Sequence, residues 1–184
     1  MLAVAANLPA LVGRQPIFDG RQRTFGYELL FRMPSDEARP AGAPDGTSST
    51  AQVVLNTFVE IGLDSVVGDK LAFVNATRAF ICDGLAAQLP HDRVVIEVLE
   101  DVPPDEEVLS SLAKLRAAGY TLALDDFVYA PSLEPLVALA QIIKVDLSKL
   151  PAGELERYPK LLGRPGIRLL AERVETHAEF EHCR

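Results

Sequence analysis

Short apolar runs rich in β-branched residues alternate with helical patterns along the chain, and this alternation restricts the fold more than any other feature. The runs fall at residues 10–18 (ALVGRQPIF), 24–32 (TFGYELLFR), 70–76 (KLAFVNA), 93–99 (RVVIEVL), 121–127 (TLALDDF), 141–147 (QIIKVDL) and 166–172 (GIRLLAE). Each reads as a strand; the first two are joined by the polar turn Asp19-Gly20-Arg21-Gln22. Residues 34–50, rich in Pro, Gly, Ser and Asp, read as one long loop. A helix should follow, with Val54, Leu55, Phe58 and Ile61 on one face, Ser49 or Thr50 as its cap and Gly62 at its end. Another is expected over 105–118, where Asp105, Glu106 and Glu107 suit the N-terminus and Gly119 stands at C′. A capping box, Thr176 with Glu179, opens the last helix.

Strands and helices alternating at this spacing build parallel β/α units. No glycine-rich phosphate loop follows any strand, which weakens the open, doubly wound alternative and favours a closed barrel. A full barrel has eight strands in roughly 250 residues, and this chain of 184 offers seven candidates. The expected fold is therefore α/β: a TIM-like (β/α)8 barrel with its first strand antiparallel, truncated before the last strand. Residues 10–184 should form that barrel and residues 1–9 a flexible segment. Unpaired edges on the first and seventh strands would invite self-association.

With 18 Lys and Arg against 26 Asp and Glu, the net charge of −8 argues against a protein that coats a nucleic-acid polymer. No apolar run reaches the roughly 18 residues of a membrane span. The opening MLAVAANLPALVG lacks the basic start of a secretory signal. Cys82 and Cys183 fit no metal or disulfide framework, so a reducing cytoplasm is the expected location.

Buried strands of parallel sheets should be nearly all apolar. Here the later strands carry polar groups at or near their carboxyl ends: Asn75, Glu97, Asp125 with Asp126, Lys144 and Glu172. The second strand adds Glu28, with Arg32 four residues on and on the same face. In a β/α barrel these ends meet at one mouth, where active sites lie. Carboxylates gathered with one amide and one lysine would repel unless a cation joined them, and an all-oxygen set selects Mg2+ or Mn2+ over zinc. His91, His177 and His182 lie elsewhere. Plainer readings stand beside this one: Glu28 with Arg32 as a same-face ion pair, Lys144 neutralised by Asp146, and Asp126 as a cap for the next segment.

Taken together, these motifs resemble the EAL domain, the barrel of bacterial cyclic di-GMP phosphodiesterases. Gln15-Pro16-Ile17 and Gly26-Tyr27-Glu28-Leu29-Leu30-Phe31-Arg32 resemble the family's opening and its Glu-Ala-Leu-Leu-Arg signature, with Leu29 in place of Ala. Asn75, Glu97 with Glu100, Asp125-Asp126-Phe127, Lys144-Val145-Asp146 and Ala171-Glu172-Arg173-Val174-Glu175 match later motifs in order. The resemblance implies one metal held by Glu28, Asn75, Glu97 and Asp125, and a second held by Asp126 with Asp125 and Glu172. It also implies that Lys144 positions the attacking water and that Gln15 and Arg32 touch the nucleotide.

Three departures accompany the match. A glycine-rich hydroxyl loop is replaced by Phe127-Val128-Tyr129-Ala130-Pro131-Ser132-Leu133, Arg173 stands where the family has Gly, and the last strand is missing. Pro131 fixes φ and Val disfavours the conformations that Gly allows. This combination resembles the EAL–HDOD branch, in which Arg14 to Asp19 have their counterpart and a helical HDOD domain follows. The resemblance therefore implies a degenerate, catalytically inactive module for regulation or protein interaction. The alternative is a Mg2+- or Mn2+-dependent phosphodiesterase that cleaves cyclic di-GMP, and a third reading is a receptor that binds the nucleotide without cutting it. A mouth lined by acids repels a dianion, so any nucleotide binding should require the metal.

Overall fold

The computed structural model describes residues 11–32, 62–150 and 155–184. The expected segment 1–9, the loop at 34–50 and the helix over Val54 to Ile61 with its Ser49 or Thr50 cap lie outside the described residues. The strands are β1 (Leu11–Phe18), β2 (Thr24–Arg32), β3 (Leu71–Ala76), β4 (Val94–Val98), β5 (Thr121–Leu124), β6 (Ile142–Asp146) and β7 (Arg168–Glu172). The helices are α1 (Leu63–Val67), α2 (Arg78–Cys82), α3 (Glu106–Ala117), α4 (Glu134–Leu139), α5 (Tyr158–Leu162) and α6 (His177–Cys183).

All seven strands join one sheet in the order β1-β2-β3-β4-β5-β6-β7. Only the β1–β2 pair is antiparallel; the other neighbours run parallel. A doubly wound sheet would reverse its strand order at a switch point. The unbroken sequential order is that of a barrel wall, a curled sheet in which each crossover moves one strand onward. Strand β5 ends three residues short of the expected run, because the chain turns out of the sheet at Asp126, whose φ is 45°. The predicted caps are present: Asp105 accepts from Val108 N at 2.9 Å, and Thr176 with Glu179 forms the capping box. Gly119 takes the positive φ expected of a stop position, while Gly62, also at positive φ, is the N-cap residue of α1.

Alternation along the strands builds two cores. Outward residues such as Val74, Ile96, Leu122, Ile143 and Val145 pack with the helices, including Val108 and Leu112 of α3 and Val137 of α4. Inward residues Ile17, Phe73, Val95, Ala123 and Ile142 form a separate plug, with Leu170 against it. Two residues further along β3, β4, β6 and β7 the inward positions are Asn75, Glu97, Lys144 and Glu172. A dry floor of apolar side chains thus underlies a polar layer.

The floor depends on Gly26 of β2, which pairs with Leu71 and lies beside Phe73. A Cβ there would stand 2.8 Å from the Phe73 ring and 2.9 Å from the Leu71 carbonyl oxygen, closer than packing allows. At Gly13 the nearest atom would be 3.6 Å away, an ordinary contact. Gly26→Ala is therefore expected to lose about 1–3 kcal/mol of stability through overpacking, whereas Gly13→Ala should be close to neutral. Urea denaturation of the two variants beside the parent chain is the check.

Candidate active site

Five strands deliver the polar layer. Glu28 comes from β2, Asn75 from β3, Glu97 from β4, Lys144 from β6 and Glu172 from β7. Asn75 and Glu97 are register partners. Asp125 follows β5 and is held by its N–H donating to Val98 O at 2.9 Å, while Phe127 N donates to Lys144 O at 2.9 Å. Between those two anchors Asp126 adopts its left-handed backbone, which Asp tolerates better than most residues.

Lys144 is the hub. Its ammonium hydrogen-bonds Asp125 Oδ1 at 2.6 Å and Glu28 Oε2 at 3.2 Å. Glu97 Oε1 and Glu172 Oε1 each lie 2.9 Å from the same nitrogen. Lys144 is 1% exposed and Glu97 0%, so both charges are removed from water and must be compensated within the protein. Glu97 approaches the ammonium off hydrogen-bond geometry, and both its carboxylate oxygens lack a hydrogen-bond partner, as does the buried Asn75 Oδ1.

Burial pushes the Glu97 carboxyl up to about 8; Lys144 pulls it down, while Glu28 and Asp125 add to the upward shift. Burial also raises Glu172, partly offset by Lys144. Although burial works against its charge, Lys144 holds its proton above the usual lysine range because Glu97, Asp125 and Glu28 surround it.

The rim carries two further ion pairs. Lys149 Nζ stands 2.6 Å from Asp126 Oδ2, and Arg173 Nε 3.0 Å from Asp146 Oδ2. Asp146 also accepts from Ser148 N at 2.8 Å and Ser148 Oγ at 2.7 Å. Burial works to raise Asp146, but the Ser148 hydrogen bonds and the charges of Arg173 and Lys149 hold it below the usual range. Lys144 is thus neutralised by the deeper acids rather than by Asp146, and Asp126 serves an ion pair with Lys149. Sequence reasoning overlooked Lys149. Its signal was a basic residue three positions after Asp146, within the 3-10 turn Leu147–Lys149 that Asp146 caps.

The mouth opens into a cleft of about 1080 Å3, lined among others by Gln15, Glu28, Asp125, Asp126, Lys144, Glu172 and Arg173. Gln15, the register partner of Glu28, is among the lining residues. Arg32 ends β2 with its backbone opposite Leu11. His177 lines the outer cleft near Glu181, while His91 packs edge-on against Tyr120.

Among the described residues, no three of His, Cys, Asp and Glu stand ready around a shared point for a metal. The acids close on the Lys144 ammonium instead. Their chemistry nevertheless fits a hard divalent cation: all the donors are oxygens, the Glu97 and Asn75 oxygens lack a hydrogen-bond partner, and four carboxylates share one lysine.

No protein-family model matches the chain. It is 36% identical over 178 residues to the uncharacterized protein YuxH of Bacillus subtilis, covering 94% of this chain and 43% of that protein. It is 33% identical over 175 residues to the cyclic di-GMP phosphodiesterase CdgJ of Vibrio cholerae, covering 94% of this chain and 40% of that protein. The chain thus spans less than half the length of these curated relatives. Its fold matches Bacillus subtilis YkuI, a protein with an EAL domain solved with its substrate cyclic di-GMP and calcium. That match has a TM-score of 0.69 and 26% identity, covering 94% of this chain and 51% of that one.

The raised carboxyl of Glu97 has a consequence for metal-free protein. At a pH below the ordinary value of 4.5, Glu97 is protonated in both the folded and unfolded chains, and folding gains its full benefit. As pH rises toward about 8 the unfolded chain releases that proton while the folded chain retains it, so stability falls. The loss can reach about 1.4 kcal/mol per pH unit. In chelator, Glu97→Gln is expected to flatten this decline and to melt above the parent chain at pH 8, as thermal denaturation across the pH range would reveal.

Proposed function

The chain belongs to the EAL-domain family, and from that premise we propose that its mouth binds cyclic di-GMP with a divalent ion and hydrolyses it to the linear dinucleotide. The observation that carries this reading is the Lys144 hub. A scaffold gains little from burying a lysine among four carboxylates, since apolar packing of similar volume is commonly as stable or more so. Retaining so costly an arrangement makes sense where charge must act on a phosphodiester. The relationship to a protein described as a cyclic di-GMP phosphodiesterase supports the same substrate.

Glu28, Asn75, Glu97 and Asp125 are the donors for a Mg2+ or Mn2+ ion. When bound, such an ion polarises the phosphodiester and lowers the pKa of water toward neutrality. Glu172, whose proton affinity is raised by burial, takes the proton of the attacking water; Lys144, 2.9 Å away, then steadies the charge that develops. Gln15, on the cleft wall, hydrogen-bonds the nucleotide. The cleft is slightly larger than the usual ligand pocket of roughly 300–1,000 Å3. Free thiols at Cys82 and Cys183 fit a cytoplasmic setting.

A second reading, a regulatory module without turnover, rests on the segment after Asp126. Tyr129 N–H reaches the Tyr158 hydroxyl at 3.4 Å, and its own hydroxyl reaches Glu134 at 3.4 Å. Pro131 then opens a 3-10 turn. That bracing leaves Val128 55% exposed beside the mouth, a contact point for another protein or for an HDOD domain in a longer chain. Self-association through the edges of β1 and β7 belongs to this reading.

Incubation with cyclic di-GMP and Mn2+, followed by chromatography, should yield linear dinucleotide. Glu97→Gln should lower kcat by at least about a hundredfold. A preparation that binds the nucleotide but leaves it intact would transfer the assignment to a receptor, and one that neither binds nor cleaves it would transfer it to the regulatory module.

A further inference from the structure

The acids of the mouth fall into two groups that differ in how their charge is met. In the inner group, Glu28, Glu97, Asp125 and Glu172 share the single Lys144 ammonium. Glu97, fully buried, keeps both oxygens without a hydrogen-bond partner, and Asn75 Oδ1 is unpartnered beside it. In the outer group each acid has a cation of its own: Asp126 has Lys149 and Asp146 has Arg173. We propose that Lys149 serves Asp126 as a built-in cation, so that the mouth loads one divalent ion in the inner group and excludes a second at the rim. This rests on the metal-dependent reading above and adds to it the number of ions and the residue that sets it.

Geometry supports the assignment from both sides of the pair. Asp126 is presented by a backbone pinned on either side, through Asp125 N to Val98 O and Phe127 N to Lys144 O. Its carboxylate therefore has little freedom to leave the rim. Lys149 is presented by the 3-10 turn Leu147–Lys149, whose first N–H groups are organised by the buried Asp146. The contact between them is a 2.6 Å charge-assisted hydrogen bond.

An exposed ion pair is weak in absolute terms, because water and salt screen it. What counts here is competition. A tethered ammonium acts at an effective concentration of order millimolar, so a free ion at micromolar levels must displace it to reach Asp126. In the inner group the one tethered ammonium, Lys144, is shared among four carboxylates, so negative charge is left there for a metal to meet. The first ion should therefore enter at concentrations at which the rim remains closed.

The test uses Mn2+ alone as the probe, with calorimetry for stoichiometry and electron paramagnetic resonance for ion–ion coupling. The parent protein should bind one ion with an uncoupled spectrum. Lys149→Met should bind two, giving the coupled signal of a close pair and at least about a tenfold gain in affinity at the second site; Lys149→Arg should restore one. Two ions in the parent, or one in a folded Lys149→Met, would overturn the proposal and leave the metal-dependent reading intact. No ion in any form would overturn both.

Discussion

A single ammonium group sets the terms for this domain. Lys144 Nζ lies within 3.2 Å of four carboxylates carried by different strands or by the turn after one. No segment of the chain could hold that group alone: Glu28 is separated from it by 116 residues. Mutual attraction draws β2, β4, β6 and β7 toward one axis at their carboxyl ends, while the curl of the sheet brings the same positions together from below. Removing Lys144 would leave the acids buried against one another; removing the acids would strand a lysine in the interior. The cluster is consequently a poor source of net stability and a strong constraint on geometry.

Beneath it the apolar plug does the complementary work. Phe73, Val95, Ala123 and Ile142 close the interior from below, so the polar layer meets a dry floor and a cleft above. Dryness gives the charges their reach, since the same pair interacts far more strongly away from water. It also raises the proton affinity of Glu97 and Glu172.

The rim differs from the inner site in its backbone as well as in its charge. Arg173 accepts a left-handed backbone with φ 54° and pairs with the buried Asp146. Asp126, also left-handed, meets Lys149. Both strained positions lie on the rim, which is where strain is commonly kept when a site requires particular side-chain directions. The rim thus carries cations of its own, one to each acid, beside the inner group that shares Lys144.

Alternation of strands and helices, the absence of a phosphate loop and polar residues at strand ends were sufficient to read a barrel wall, its antiparallel first strand and the identities of its inward acids. Those features depend on local periodicity, which a sequence carries directly. Strand β5 was read three residues too long, because Asp125 and Asp126 follow an apolar run without a glycine to announce the turn. Which acid meets which cation was decided in space alone. Asp146 shares a strand face with Lys144 yet answers to Arg173, and Lys149 found Asp126 from 23 residues away. Side-chain alternation shows which way a residue points; only the curl and register of the sheet determine what it meets there, because electrostatic partners are chosen by distance through the fold and not by separation along the chain.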